Sequence, residues 1–593
     1  MQYGSPFLPT MMLVVVSIAV VPACDTAVEK RERALAASSA SAHRVETATR
    51  TDGLRDGRTA LRFQSRQPSE LRRCTFDNGR SGGLNTIFEI VGGGVAATDI
   101  DLDGQIDLLF SLGGTIDPQR QQVEGNGWHV LRNQGRWQMR AASSELCALA
   151  RGRYLHGFVV ADFDQDGFDD IAAYGWGGLW LWINQGDGTF SEMPEALLGP
   201  QPPWVTAAAA GDFDADGNLD VYLGSYVDWS FNNNPVCPDR LGRDDVCSPT
   251  AFRGHPNRVW LSDGRGAWRC GQSLFRHPTD GKTLGVVVGR WIESPWPQIY
   301  VANDLEPNFF MARDAETYAD RGLLSGLAVD DTGVPNGSMG IAVADFDHDL
   351  REDLFVSNFE HEMMGLYLNR GGGLFDHSSR TGKLNFAENR AVGFGVLSED
   401  WDGDGDFDVL VVCGHVHYHP DSGSMEQRPL LLVNDGQARF QRVQPADDFF
   451  RLPRVGRGAA SADLDGDGDP DIIATQLLGP PQLIETHRPG DTCWLNVRPV
   501  GTLSPRTPVG TRIELDVGPF QQVRQLTSGG SYLSHAESVV RFTWLPQHQR
   551  SDALPVRLRV HWPSGRVSKH EFASWNRLVV VVEPGGSTPW GEE

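Results

Sequence analysis

The chain has 593 residues, room for one large repeat domain and a second, smaller one. Asp and Glu number 77 against 52 Lys and Arg, a formal net charge of −25, which weighs against nucleic acid as a partner. The 17 Trp fit β-sheet packing better than a sugar-stacking surface.

In chain order, the first feature is an apolar run, Met11 to Val21. It is too short for a membrane-spanning helix, which needs about 20 apolar residues, and it suits the apolar core of a secretory signal over residues 1–24. Val21-Pro-Ala-Cys24 resembles a lipoprotein cleavage box with Cys24 as the acylated residue, although Pro22 is unusual there and no Lys or Arg precedes the run. Residues 25–72 are rich in Ala, Ser, Arg and Glu with little apolar periodicity, so they read as a flexible spacer. The expectation is an exported protein, either a cell-envelope lipoprotein or secreted, that touches a membrane only through a lipid anchor.

From residue 99 onward the chain repeats an acidic loop, D-x-D-x-D-G-x-x-D. Five copies are intact: Asp99, Asp101, Asp103 and Asp107; Asp162, Asp164, Asp166 and Asp170; Asp212, Asp214, Asp216 and Asp220; Asp400, Asp402, Asp404 and Asp408; and Asp463, Asp465, Asp467 and Asp471. A sixth keeps Asp345, Asp347, Asp349 and Asp353 but has Leu350 in place of the Gly. Carboxylates at positions 1, 3 and 5 of a tight turn converge on one point, which suits Ca2+, a cation that takes about 6–8 oxygens at roughly 2.3–2.6 Å. The Gly admits the turn because it has no Cβ to clash at positive φ. A peptide carbonyl and the ninth-position Asp complete the set, and without a cation so many packed Asp repel. One match is an ordinary Asp/Gly turn. Five, each leading into an apolar run such as Asp220-Val-Tyr-Leu or Asp471-Ile-Ile-Ala, point to metal. An EF-hand is disfavoured, because it needs a late Glu and flanking helices. The expected cofactor is calcium, about five or six ions.

Successive first Asp residues lie 50–63 positions apart, except for a gap of 133 between Asp212 and Asp345. Inside that gap, Arg290 to Gln298 followed by Ile-Tyr-Val-Ala-Asn-Asp304 reads as a seventh copy, with Gln298 where the closing Asp belongs. Its metal site is expected to be lost. Each unit reads as an apolar strand, the loop, a β-rich strand and a further pair such as Leu179–Asn184 and Gly188-Thr-Phe190. Repeats of about 40–60 residues with four short strands are propeller blades, and a ring of blades protects strand edges. Residues 486–585 alternate apolar and polar positions, as in Arg512-Ile-Glu-Leu-Asp-Val517, a half-buried antiparallel pattern with Leu578–Val582 as the last strand. The expected fold is therefore all-β: a seven-bladed β-propeller over residues 73–485, a small β-sandwich-like domain over 486–585 packed on or beside it, and a tail, 586–593.

These loops and their flanking strands resemble the FG-GAP repeats of integrin α-chain propellers. Tyr300-Val-Ala-Asn-Asp304, Ser338-Met-Gly-Ile-Ala-Val-Ala-Asp345 and Arg457-Gly-Ala-Ala-Ser-Ala-Asp463 are closer to bacterial relatives of the cartilage acidic protein family. Pro508-Val-Gly-Thr-Arg-Ile513, Gly529-Gly-Ser-Tyr-Leu-Ser534 and Val560-His-Trp-Pro-Ser-Gly-Arg566 resemble the ASPIC/UnbV domain that closes such chains. The resemblance implies a calcium-stabilised scaffold, monomeric, that binds a glycan or protein partner at the cell surface. Its recognition surface would be the inter-blade loops and the Gly224–Trp260 insertion. Exported relatives carry a similar loop to Pro238–Val246, implying a disulfide between Cys237 and Cys247 at its ends. Setting Cys24 aside, seven of the eight Cys remain, so at least one thiol is free; Cys413, in an apolar strand, is expected to be buried and inert.

One cluster departs from this pattern: His415-Val-His417-Tyr-His419. If extended, its three imidazoles share one face, and three His with an open position bind Zn2+ or Cu2+. His361, with Glu362, sits at the same point of the preceding unit. This group is the candidate second metal site, and with the UnbV resemblance it implies the alternative function, a metal-dependent enzyme of secondary metabolism. The competing reading is a polar loop after a strand. His535 reads as a surface residue, and the one G-x-S-x-G string, Gly79–Gly83, lacks the strand and helix of a nucleophile elbow.

Overall fold

The computed structural model describes residues 61–80, 83–194, 201–276, 280–384, 390–421, 423–490, 492–545 and 555–585. The apolar run, Cys24, most of the expected spacer and the tail lie outside these residues.

Among the described residues, seven antiparallel sheets, each built on four strands, follow one another along the chain. The second is representative: Tyr154–Ala161, Asp170–Trp176, Gly178–Asn184 and Phe190–Glu192, in that spatial order. First strands such as Tyr154–Ala161, Val205–Gly211 and Val455–Ala462 are buried at every position. They read as small or apolar runs because both faces are covered. Outer strands such as Phe190–Glu192 keep one buried residue and expose the rest. First strands of consecutive sheets touch one another in order, and Val455–Ala462 of the last sheet touches Val95–Thr98 of the first. The sheets therefore close a ring, a β-propeller.

The fourth strand of the last sheet comes from the other end of the chain. Arg62–Arg66 pairs antiparallel with Gln482–His487, with Phe63 opposite Thr486. The ring of Phe63 packs at 4.8 Å from that of Phe450. A short 3-10 helix, Ser69–Cys74, follows and buries Leu71 and Cys74. This corrects the expected spacer, which included residues 62–72. The strand is five residues long and half exposed, so its periodicity is weak. It orders because the last sheet offers an unpaired edge.

The C-terminal region is two facing sheets. One holds Val540–Trp544, Cys493–Val500 and Arg577–Val582; the other holds Phe520–Gln525, Arg512–Val517, Val556–His561 and Val567–Phe572. Leu495, Ile513, Phe542, Trp544 and Trp562 fill the space between them. The alternation predicts antiparallel pairing, but Cys493–Val500 and Arg577–Val582 run parallel. Alternation reports which face is buried and is blind to direction.

One segment of this region leaves the sandwich and enters the ring. Ser528–Gly529 pairs with Val287 and Val288 of the fourth sheet. Beyond it, Gly530 N–H donates to Val286 O (2.8 Å) and Ile341 N–H donates to Gly530 O (3.0 Å). Ser531 Oγ donates to Ala459 O (2.7 Å), and Tyr532 Oη donates to Val91 O (3.0 Å). His535 N–H donates to Val95 O (2.9 Å) and its carbonyl accepts from Ala97 N–H (3.0 Å). Ala210 N–H donates to Ser528 Oγ, Tyr532 packs on Phe394, and a Cβ on Gly157 would meet Leu533 O. The segment thus meets the first strand of every sheet and fills the axis of the ring. Gly529 makes the entry: φ is +77°, and a Cβ there would stand 2.2 Å from Val286 O. His535, expected at the surface, is buried in this plug.

Candidate metal centres

Each acidic loop divides its carboxylates between holding the turn and facing one point. In the second sheet, Asp162 Oδ1 and Oδ2 accept the N–H groups of Asp166 (3.1 Å) and Gly167 (2.8 Å). Asp166 Oδ1 accepts Phe168 N–H (2.9 Å). Asp170 ties the loop to its sheet, accepting Phe163 N–H through Oδ2 and Asn184 N–H through Oδ1, both at 2.8 Å. The same closure recurs at Asp220, Asp353, Asp408 and Asp471, each accepting one N–H from its loop and one from its third strand. Asp107 accepts Asn133 N–H and pairs with Arg132.

Asp162, Asp164 and Asp170 each bring one oxygen within 4.8 Å of the others, as do Asp212, Asp214 and Asp220, then Asp345, Asp347 and Asp353, and Asp99, Asp101 and Asp103. Position 3 completes these groups at a cost. Asp214 Oδ1 and Asp347 Oδ1 are buried with no hydrogen-bond partner, while their second oxygens face Arg269 and Arg370. An orphaned, buried carboxylate oxygen fits a cation ligand. Burial, with the neighbouring carboxylates, pushes Asp162 up to about 7, Asp170 to about 8, Asp212 to about 6 and Asp220 to about 9. These groups resist ionising together unless positive charge joins them. Hard oxygens in this number fit Ca2+.

Two copies depart from the pattern. Leu350 adopts φ +64° and still donates its N–H to Asp345 Oδ2 (2.9 Å), so the loop keeps its shape without glycine. In the fourth sheet, Gln298 Oε1 accepts from Trp291 and Ile292 N–H (2.8 and 2.9 Å), taking over the closing role of Asp without its charge. A further group, Asp467, Asp469 and His487, lies within ligand distance and was not foreseen from sequence. Asp469 is already held by Arg488, through N–H and Nε.

Residues 162–223 and 400–474 match the FG-GAP-like repeat, and residues 501–588 match the ASPIC and UnbV domain. The chain carries FG-GAP-like repeats followed by an ASPIC/UnbV domain. It is 25% identical over 527 residues to cartilage acidic protein 1 of Homo sapiens, covering 83% of this chain and 72% of that one. To the Xenopus tropicalis protein of that name it is 26% identical over 520 residues, covering 83% and 73%. Among solved structures, an Agrocybe aegerita lectin that recognises non-reducing terminal N-acetylglucosamine covers 76% of this chain and 99% of its own, at 15% identity and a TM-score of 0.39, too loose a likeness to argue from.

The ASPIC/UnbV domain sits on the FG-GAP loops. Thr543 Oγ1 donates to Asp400 Oδ2, and Gln522 Nε2 donates to Gly405 O (2.7 Å). Arg512 Nη2 donates to Leu350 O (3.1 Å), and Asp162 N–H donates to Thr507 Oγ1 (3.1 Å). Asp400 and Asp402 are consequently buried. Among the described residues, no helix is long and apolar enough to cross a membrane.

The histidine group lies on the opposite side of the ring, where second strands end. Residues 415–419 form no strand, so the shared face expected for the three imidazoles does not exist. The reason is tertiary: Asp245, from the 224–260 insertion, accepts the N–H groups of Tyr418 (2.9 Å) and His419 (2.8 Å) and folds the loop over. His415 is fully buried, and its Nδ1 accepts His417 N–H (3.0 Å). Its ring proton therefore sits on Nε2, 3.4 Å from Glu360 Oε1, which leaves no ring lone pair for a metal. His361 is the second imidazole near Glu360, at 3.8 Å. Cys237 and Cys247 are bonded and hold the insertion beside this loop. Cys413 is a buried free thiol.

Proposed function

We propose that this FG-GAP protein is an exported, calcium-stabilised propeller that binds a glycan or protein partner at the cell envelope, with calcium in a structural role. The observation that carries it is the recurrence of the acidic loop in six of seven units, with the carboxylates of four of them, those beginning at Asp99, Asp162, Asp212 and Asp345, gathered around one point and buried oxygens at Asp214 and Asp347 that lack a hydrogen-bond partner. The ASPIC/UnbV domain occupies the loop face, so partner binding is assigned to the opposite face, with the disulfide-bonded insertion. Export rests on the N-terminal apolar run and the Cys24 box, both outside the described residues.

Metal analysis by mass spectrometry, on protein purified without chelator or His tag, is the direct test. About five or six calcium ions per chain are expected, and chelation should lower Tm sharply. Asp164→Ala should cost less than chelation, because the other loops keep their ions. An unchanged Tm in EDTA, or a calcium content near zero, would sink the reading.

A further inference from the structure

On the face opposite the ASPIC/UnbV domain, the ring axis opens into a cavity of about 150 Å3. The tip of the plug, Tyr532, forms part of its wall, and Cys247, Ser248 and Pro249 of the insertion form another part. Val91, Leu284, Met339 and Val416 make the rest mostly apolar. A dry pocket of this size holds a body of roughly six or seven non-hydrogen atoms.

One carboxylate faces into it. Asp304 lies deep in the protein yet keeps accessible surface in the cavity. Among the described residues, its carboxylate accepts one hydrogen bond, from Tyr226 Oη (2.5 Å). The neighbouring cations are spent elsewhere. Lys282 Nζ pairs with Glu306 at 3.0 Å; its charge also favours the ionised Asp304 through space, and the Glu306 carboxylate opposes it. The Arg457 guanidinium donates to the carbonyls of Ile90, Gly414, Gly456 and His415 and covers Phe394 at 4.1 Å. The other acids nearby have partners: Glu362 accepts Gly337 and Phe359 N–H, and Glu360 faces His415. His417, the imidazole lining the cavity, has its pKa lowered by burial and is neutral at pH 7, so it adds no positive charge. Burial also raises Asp304, to about 6, which still leaves it ionised at neutral pH. An ionised carboxylate facing an apolar cavity, with one neutral hydrogen-bond donor and a nearby lysine already paired to Glu306, leaves a place for a cation. Apolar walls disfavour a hydrated metal ion, whereas the rings of Tyr226, Phe359 and Tyr532 around the space suit an organic one.

We propose that the axial cavity binds a small organic ammonium ion, its charge against Asp304 and its apolar body among Tyr226, Phe359 and Tyr532. The site is independent of the calcium loops and does not rest on the function proposed above.

The test is calorimetric titration of the full, calcium-loaded chain with choline and with 3,3-dimethylbutan-1-ol, its neutral carbon isostere. One choline per chain is expected, with Kd of about 0.1–1 mM for so small a ligand, and the isostere should bind at least tenfold more weakly. Asp304→Asn should weaken choline at least tenfold. Phe359→Leu, a smaller change at a partly buried position, should weaken it about threefold. Asp164→Ala, in a calcium loop, should leave choline binding unchanged. Equal binding of the two probes, binding unmoved by both cavity variants, competition by added calcium, or no heat with choline up to tens of millimolar would each overturn the proposal.

Discussion

A single Asp in these loops does different work according to its position. At position 1 it spends both oxygens on backbone N–H groups, as Asp162 does with Asp166 and Gly167. At position 9 it joins the loop to the third strand, as Asp170 does with Asn184. Position 3 contributes charge with little hydrogen bonding in return, which is why Asp214 and Asp347 keep an unpaired buried oxygen. Leu350 tests the role of position 6. A non-Gly residue at φ +64° costs roughly 1–2 kcal/mol, offset in part by the roughly 0.5–1 kcal/mol of extra chain entropy that Gly loses on folding. Leu350→Gly should therefore raise stability by about 0.5–1 kcal/mol in denaturant unfolding. A clear loss would mean that Leu350 makes contacts worth more than the strain. The convergence of the loop carboxylates was legible in the sequence because they lie within nine residues of one another. The histidines were misread because nothing near His415 encodes Asp245, which is 170 or more positions away and decides the loop's shape.

Among the elements, the two that seal the ring are both short and both distant in sequence from what they bind. Arg62–Arg66 completes the last sheet across more than 400 residues, and the plug inserts from a domain of its own. Each removes exposed backbone: the strand covers a sheet edge, and the plug answers N–H and C=O groups of first strands that otherwise face an empty axis. Gly529 is the point at which the plug can be broken. Gly529→Val would place a branched side chain at positive φ against Val286 O, and a loss of about 2–4 kcal/mol is expected. Limited proteolysis should then cut within residues 526–538, which the wild-type protein protects. An unchanged cleavage pattern would contradict the plug's role. The motif around Gly529 was visible in the sequence as a family resemblance. Its place was not, because a polar Gly/Ser run carries no periodicity that points to an axis.

For the whole molecule, a metal bound as proposed competes with protons for the same buried oxygens. Asp170 and Asp220 are raised from 3.8 to about 8 and about 9 by burial, backed by their neighbours. The folded, metal-free chain therefore holds protons that the unfolded chain has lost between about pH 4 and pH 8–9, and its stability falls as pH rises through that window. Calcium bound as proposed would displace those protons and hold the ionised loops. Metal-free Tm should be higher at pH 5 than at pH 8, and the gain in Tm on adding calcium should grow with pH. Scanning calorimetry with and without calcium reads both; a metal-free Tm that rises from pH 5 to 8 would contradict the assignment. Because Thr543 and Gln522 of the ASPIC/UnbV domain rest on the Asp400–Asp408 loop, loss of metal there should also loosen domain docking.

By itself the sequence determined what short-range chemistry can write: the acidic loops, the repeated four-strand unit, the Gln298 that replaces a closing Asp, and a terminal sandwich. These follow from spacing within a few residues and from strand periodicity, and neither needs a neighbour to be read. Only the tertiary structure decided how the ring closes, what fills its axis, which face the second domain covers, and that Asp304 looks into an apolar cavity. Each of those depends on pairings between residues far apart in the chain, where one backbone group finds its partner because the rest of the fold has already placed it.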